Sequence, residues 1–196
     1  MGYLCACCGC QTSGQRSESF LARSNPNCHA ALKLEAKYGV VTGDLVASRR
    51  LERIGGRLVR TIQNFQRVCT FKLLDCPRLN AVSLPEGKVY VTRGLYERLT
   101  TDDLLAAAIA HELAHIAVQD GMSPRRSRET QLVKELAADA RAIQYLNGAN
   151  IDPHALLDLL QIVSDEQDPA WAKQRIAVLT DRLSTSSLSN AGSYRE

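Results

Sequence analysis

The chain has 196 residues, of which 45% are hydrophobic, so it is long enough to form one domain with a substantial core. Lys and Arg number 24 against 21 Asp and Glu, and the net charge of +3 is too small and too dispersed to predict binding to nucleic acid. Because no window approaches the ~20 consecutive apolar residues that a membrane-spanning helix needs, we expect no such helix in this sequence.

Four of the seven cysteines crowd the start of the chain, at Cys5, Cys7, Cys8 and Cys10. One tetrahedral zinc ion usually takes cysteine pairs from two separated segments, and no second pair follows, so we do not expect a zinc knuckle. The segment Gly9-Cys10-Gln11-Thr12-Ser13 is similar to the mature start of a bacterial lipoprotein. That interpretation implies an upstream start and a lipid anchor, and so a periplasmic or membrane-anchored protein. The alternative is a flexible cysteine-rich leader over residues 1–27 of a cytoplasmic protein.

The folded domain is expected to span residues 28–183, followed by a disordered tail over 184–196. Apolar residues recur at helical spacing over 29–38, and Gly39 is expected to end that helix. A longer amphipathic helix is predicted to begin at Asp44, which is a favourable residue for a helix N-cap.

The next segments are rich in β-forming residues, at 68–74, 80–84 and 88–92. Pro85-Glu86-Gly87 supplies a turn between the last two, so we predict a small, largely antiparallel sheet. The second half of the chain is predicted to be helical, over 104–118, 129–146, 152–163 and 169–183. Thr100 and Asp103 have the spacing of a capping box before the first of these helices. These elements predict an α+β fold that is mainly helical, with the sheet beside the helix at 104–118.

The motif His111-Glu112-Leu113-Ala114-His115 lies inside the apolar run 104–118. Positions i and i+4 of a helix share one face, so His111 and His115 can reach one ion. Zinc accepts imidazole nitrogens at about 2.0–2.1 Å, and a catalytic zinc takes three protein ligands and leaves one position for water. Burial of two imidazoles and a carboxylate without a metal or other partners would be unfavourable, so we predict a Zn²⁺ site.

Two known arrangements can supply the third ligand. A metzincin would continue with Gly at position 118 and His at position 121, but Val118 and Gly121 stand there. A thermolysin-like site instead takes a Glu from a following helix, where this chain has Glu135. Asp139 follows one turn later on the same face, where it can accept a hydrogen bond from the free N–H of a ligand histidine. We therefore predict Glu135 as the third metal ligand and Asp139 as the residue that orients a histidine.

The chain resembles the HtpX-like, BepA-like and CAAX-prenyl-protease-like zinc metallopeptidases, which are gluzincins. The resemblance is carried by Tyr38-Gly39, by residues 80–85 and 89–95, by the motif at 111–115 and by residues 135–139. It implies a zincin-like fold, a zinc cofactor and an extended or unfolded polypeptide as substrate, and we expect a monomer. It also implies a cleft rim where the substrate pairs as an added strand, formed by Asn80, Ala81, Val89, Tyr90 and Val91.

One position departs from the family pattern. Members commonly carry a His-Pro pair ahead of an Arg near the C-terminal end, and that His is assigned to the stabilisation of the oxyanion. This sequence has Asp168-Pro169 and then Arg175. Because an ionised Asp cannot stabilise negative charge, the resemblance leaves Arg175 as the candidate electrophile.

These residues together predict a metalloendopeptidase that hydrolyses peptide bonds with metal-activated water. Glu112 is predicted to be the general base, which takes a proton from the water and passes it to the leaving amine. The alternative is a catalytically weak or latent zinc-fold protein that acts as a chaperone-like polypeptide binder. The presence of Glu112 beside the ligands favours catalysis, whereas the absence of the family His favours the alternative.

Overall fold

The computed structural model describes residues 26–118, 128–164 and 169–191. These ranges form, in chain order, α1 (Pro26–Tyr38), α2 (Leu45–Val59), β1 (Thr70–Leu74), β2 (Ala81–Leu84), β3 (Lys88–Thr92), α3 (Arg93–Arg98), α4 (Asp102–Ala117), α5 (Arg128–Gly148), α6 (Ala155–Val163) and α7 (Pro169–Ala191). They are mainly helical with one small sheet, as the sequence predicts. No helix in these ranges combines the length and the apolar composition that crossing a bilayer requires. Outside them lie Cys5, Cys7, Cys8, Cys10, Gly121 and Asp168.

The sheet has the strand order β1-β3-β2. β2 and β3 are antiparallel and are joined by a turn in which Gly87 has a φ of +99°, whereas β1 is parallel to β3. The prediction of a largely antiparallel sheet is therefore wrong for one of the two strand pairs. The β2-β3 hairpin is local and its turn residues predict it, but β1 pairs with a strand that is not its neighbour in the sequence. No local pattern encodes such a pairing.

The two faces of the sheet pack against different helices. Alternate residues of β1 and β3 enter the main core together with α2 and α4, namely Phe71, Leu73, Val89 and Val91. The opposite face carries Leu84 and Tyr90, which cluster with Ala31 of α1. α2 approaches the first face so closely that a Cβ atom on Gly55 would lie 2.3 Å from the Phe71 ring. Glycine is therefore required where this ring crosses the helix.

Helix α4, which carries the His-Glu-x-x-His motif, is buried on almost every side. Its N-cap is Thr101, whose hydroxyl accepts a hydrogen bond at 3.2 Å from a backbone N–H of the first turn. The N-cap is therefore one residue later than the predicted cap at Thr100. Arg50 and Arg53 of α2 bind the Asp102 carboxylate at 2.8 and 2.7 Å and fasten this end of the helix. α4 is thereby fixed between α2, α5, α6 and the sheet.

Several helices differ from their predicted bounds. α1 begins at Pro26 rather than at residue 29, and α7 continues to Ala191, beyond the predicted end at residue 183. α3 is a six-residue helix that the sequence pattern does not predict. The Thr92 hydroxyl caps it by accepting a hydrogen bond from Leu95 N at 3.4 Å, but the β-forming residues before it hide this signal. The division into leader, domain and tail stays a prediction.

A polar contact fastens α1 to the sheet. The Glu35 carboxylate accepts hydrogen bonds from Lys72 Nζ of β1 and from the Tyr90 hydroxyl of β3, each at 2.7 Å. The hydrogen bond from Lys72 is the main cause that lowers the pKa of Glu35, and it outweighs the opposing effect of burial. Burial and the contact with Glu35 raise the pKa of Tyr90, so the Tyr90 hydroxyl keeps its proton and donates at physiological pH.

Replacing Glu35 by Gln is expected to destabilise the fold by roughly 1 kcal/mol near neutral pH, because a charged hydrogen bond becomes a neutral one. The folded-state pKa of Glu35 lies below its ordinary value of 4.5. The extra stability of the wild-type protein over the Gln variant is therefore fully present above that value, and it is lost as pH falls through the folded-state pKa. Urea unfolding at neutral and at acid pH measures the difference, with exposed Glu52 replaced by Gln as the control. An equal loss at both pH values would contradict this prediction.

Candidate metal centre

Helix α4 presents two histidines to the same point. His111 and His115 lie one turn apart, and their rings meet edge to face with centroids 4.7 Å apart. Their Nε2 atoms are 3.1 Å apart. Two ring nitrogens this close cannot both direct a proton at each other, so the pair is suited to sharing one cation.

Glu135 of α5 reaches the same point. Its Oε2 lies 3.2 Å from His111 Nε2, and its Oε1 lies 3.7 Å from His115 Nε2. Zinc holds such ligands at about 2.0–2.1 Å, and the corners of a regular tetrahedron of that size are roughly 3.3 Å apart. The observed separations are 3.1, 3.2 and 3.7 Å, of which the last two involve different oxygens of Glu135, and all three are near that value. The three residues could therefore hold a metal ion.

Asp139 lies one turn beyond Glu135 and is 1% exposed. Its Oδ1 is 2.9 Å from His111 Nδ1. Because the Asp139 carboxylate lies at Nδ1, the other ring nitrogen of His111, Nε2, faces Glu135 and His115. The structure thus brings together the four residues that the sequence predicts for the metal site.

Arg175 of α7 adds a buried positive charge behind this site. Its Nε and Nη2 donate to the two carboxylate oxygens of Asp139 at 2.8 and 2.7 Å, and its Nη1 lies 3.3 Å from Glu135 Oε2. This differs from the arrangement expected of an oxyanion electrophile, since two carboxylates bind the guanidinium, although Arg175 also lines the cleft. The oxyanion role of Arg175 stays a prediction.

These contacts shift the protonation of the buried groups. Burial lowers the pKa of His111, but its contacts with Asp139 and Glu135 outweigh burial and raise that pKa to about 10. Burial raises the pKa of Asp139, but Arg175 and His111 outweigh burial and lower that pKa to about 2. A metal ion that binds His111 Nε2 takes the place of a proton there, and the Asp139 carboxylate stays ionised in either case.

His111, His115 and Glu135 line a cleft of about 390 Å³. Residues 79–85, which include β2, line it from the sheet, and Glu112 lines it from α4. Three apolar residues of α6 complete another part of its wall, namely Leu159, Leu160 and Val163. The sequence does not single out α6, because its apolar residues have the spacing of any helix that packs on a core.

The predicted rim residues separate into two groups. Asn80 and Ala81 line the cleft. Val89, Tyr90 and Val91 lie in β3, the central strand, where both edges are paired and each residue is at most 1% exposed. The structure therefore corrects their expected place at the rim. A resemblance between sequence segments does not show which strand of a sheet lies at its edge.

Two histidines and a glutamate that meet in a cleft are the ligand set of a class of zinc-dependent peptidases. Residues 46–133 match the sequence profile of Peptidase family M48, so this part of the chain is similar to that family of zinc metallopeptidases. The matched segment is less than half of the chain, and it contains the motif on α4 but ends before Glu135. No curated protein sequence matches the chain. Membership of the HtpX-like, BepA-like or CAAX-prenyl-protease-like groups stays a prediction.

The protein is expected to bind one zinc ion per chain, and replacing His115 by Ala should weaken that binding because a ligand is lost. The loss of affinity should exceed the roughly 10–100-fold that residues around a ligand contribute. Competition with a chelating indicator measures the affinity. His154, which is exposed and contacts Asp152 at 2.7 Å, is the control, and its replacement by Ala should leave zinc binding unchanged. Full zinc retention by the His115 variant would count against this ligand set.

Proposed function

We propose that this protein is a zinc-dependent endopeptidase with a zincin-like catalytic domain that hydrolyses unfolded or extended polypeptides. The observation that carries the proposal is the position of Glu112. It lies on α4 between His111 and His115, lines the same cleft and is 9% exposed. A carboxylate at such depth is stabilised by a nearby cation, and here it lies beside the residues that could hold zinc.

A zinc ion held by His111, His115 and Glu135 would supply Lewis-acid chemistry, which lowers the pKa of water and polarises a carbonyl. Glu112 acts as the general base, since its carboxylate takes a proton from the attacking water. The same carboxylate passes the proton to the nitrogen of the scissile amide. The bond between carbonyl carbon and nitrogen then breaks, and the products are a carboxylic acid and an amine.

The position of β2 at the edge of the sheet supports the proposal that the substrate is an extended polypeptide. Asn80 O accepts a hydrogen bond from Thr92 N of β3 at 3.0 Å. In an antiparallel ladder the hydrogen-bonded pairs recur at every second residue, so Val82 is the next residue of β2 that bonds to β3. The N–H and C=O groups of Ala81 and Ser83 consequently point away from β3, on the strand that lines the cleft. An extended polypeptide can pair with these groups as an added strand.

The apolar wall of the cleft supports the proposal that the substrate is an unfolded polypeptide. Leu159, Leu160 and Val163 of α6 line the cleft together with Ala108 and Ile116 of α4. Burial of one aliphatic side chain of the substrate against such a wall contributes about 1.5–3 kcal/mol. Folded proteins keep most such side chains inside, so this contribution favours chains that expose both backbone and apolar side chains.

Replacing Glu112 by Gln is expected to lower kcat for labelled, unfolded casein by about 10²–10⁴-fold, because the general base is lost. Zinc affinity should stay near the wild-type value, since Glu112 is not in the proposed ligand set. Exposed Glu97 replaced by Gln is the control. Cleavage by the Glu112 variant at the wild-type rate would show that another group is the base. Wild-type protein that binds casein without cleaving it would favour the alternative of a polypeptide binder.

Replacing Ser83 by Pro is expected to raise KM for an extended peptide by roughly tenfold, because proline removes an N–H that points away from β3 and is proposed to pair with the substrate. The melting temperature should change little, since this N–H is not paired with β3. Val82 replaced by Pro is the matched control, because it removes an N–H from the ladder and should lower the melting temperature instead. An unchanged KM in a folded, zinc-loaded Ser83 variant would rule out substrate pairing with β2.

A further inference from the structure

The charges around the metal site balance a divalent cation. Glu112, Glu135 and Asp139 are negative and Arg175 is positive, so together they carry a net formal charge of two negative units. When a metal ion replaces the proton on His111 both imidazoles are neutral and add nothing to this charge, so a divalent ion would neutralise it. Buried charges are tolerated when they are compensated in this way. Arg175 is thus part of the charge balance of the site, although it is not a ligand.

The contact between Arg175 and Asp139 fixes the carboxylate in one orientation. Nε and Nη2 form a fork whose two N–H groups meet the two oxygens of Asp139 at 2.8 and 2.7 Å. Such a two-point contact prevents rotation of the carboxylate about its axis. Both partners are almost fully buried, at 4% and 1% exposed, so water does not compete for these groups.

The orientation of Asp139 is passed on to His111. The oxygen that accepts from Arg175 Nη2 is Oδ1, and the same atom lies 2.9 Å from His111 Nδ1. Arg175 Nη1 also lies 3.3 Å from Glu135 Oε2, the oxygen that faces His111 Nε2 at 3.2 Å. One guanidinium therefore touches both the residue that orients the first ligand and the carboxylate of the third.

We propose that Arg175 is a positioning residue of the metal site, which holds Asp139 and Glu135 and, through Asp139, the ring of His111. The proposal rests on the proposed function in one respect, that the site binds zinc. Since Arg175 lies on α7, the proposal makes this helix part of the metal site. The buried residues Ala172, Leu179 and Leu183 hold α7 in the fold. A positioning role and an oxyanion role differ in what they affect. The first acts on zinc affinity, whereas the second acts on kcat after zinc is bound.

Replacing Arg175 by Lys tests the proposal because the positive charge is kept and the fork is lost. A neutral substitution would remove a positive charge, which favours binding of a cation, and would also remove the positioning contact, which weakens it. The two effects on zinc affinity would oppose each other. We expect the zinc affinity of the Arg175→Lys variant, measured by competition with a chelating indicator, to fall by about 10–100-fold. At saturating zinc, kcat on casein should return to within a few-fold of the wild-type value. Unchanged zinc affinity overturns the proposal, and a large loss of kcat at saturating zinc with unchanged affinity assigns Arg175 to the oxyanion.

A double-mutant cycle with Asp139→Asn separates positioning from a general loss of structure. Because Arg175 acts partly through Asp139 and partly through its contact with Glu135, the loss of zinc-binding free energy in the double variant should be clearly smaller than the sum of the two single losses. Losses of affinity that add would show that Arg175 acts independently, and would overturn the proposal. Arg50→Lys is the matched control, because Arg50 also binds a carboxylate at 2.8 Å and a backbone carbonyl but lies at the other end of α4. Its zinc affinity should equal that of the wild-type protein.

The same measurements remain decisive if one variant is unstable. If Arg175→Lys does not fold without zinc, as judged by circular dichroism, the zinc affinity of Asp139→Asn decides. A fall of about 10–100-fold supports the proposal, and an unchanged affinity overturns it. Zinc affinity is measured without substrate, so failure of this proposal leaves the proposed peptidase activity intact. Failure of that activity would appear instead as wild-type protein that binds zinc but cleaves no casein.

Discussion

Compensation of buried charge around His111 is the constraint on which the rest of the structure depends. Nδ1 of this ring lies 2.9 Å from Asp139 and Nε2 lies 3.2 Å from Glu135, so one imidazole joins α4 to α5. Arg175 joins α7 to the same network through Asp139. Charged groups at this depth are stable when they neutralise each other. These contacts join three helices at a point where one divalent ion would complete the balance of charge.

The family match and the site cover different parts of the chain. Residues 46–133 supply β2, which lines the cleft, and α4, which carries the two histidines. The other residues of the candidate site lie beyond residue 133. Glu135, the proposed third ligand, and Asp139 lie on α5, and Arg175, which binds Asp139, lies on α7. The candidate metal site consequently depends on segments outside the matched residues as well as on the motif, because the motif by itself provides two of the three proposed ligands.

Local signals predict the parts of the site that lie on single helices. The i, i+4 spacing places His111 and His115 on one face, and the same rule relates Glu135 to Asp139. The N-cap of α2 is equally local, since the Asp44 carboxylate accepts a hydrogen bond from the backbone three residues ahead at 2.8 Å. The prediction for Val91 and its neighbours in β3 is wrong because strand order is not local. The same segment could lie at the edge or in the centre of a sheet.

The sequence by itself determined the main helices, the β2-β3 hairpin and the pairing of His111 with His115 and of Glu135 with Asp139 on single helix faces, because each depends on spacing within a turn or two of the chain. Only the tertiary structure decided that β3 is central, that α6 lines the cleft and that Arg175 binds Asp139 and Glu135. The physical reason is that neutralisation of a buried charge depends on distances of about 3 Å between segments, and spacing along the chain does not set those distances.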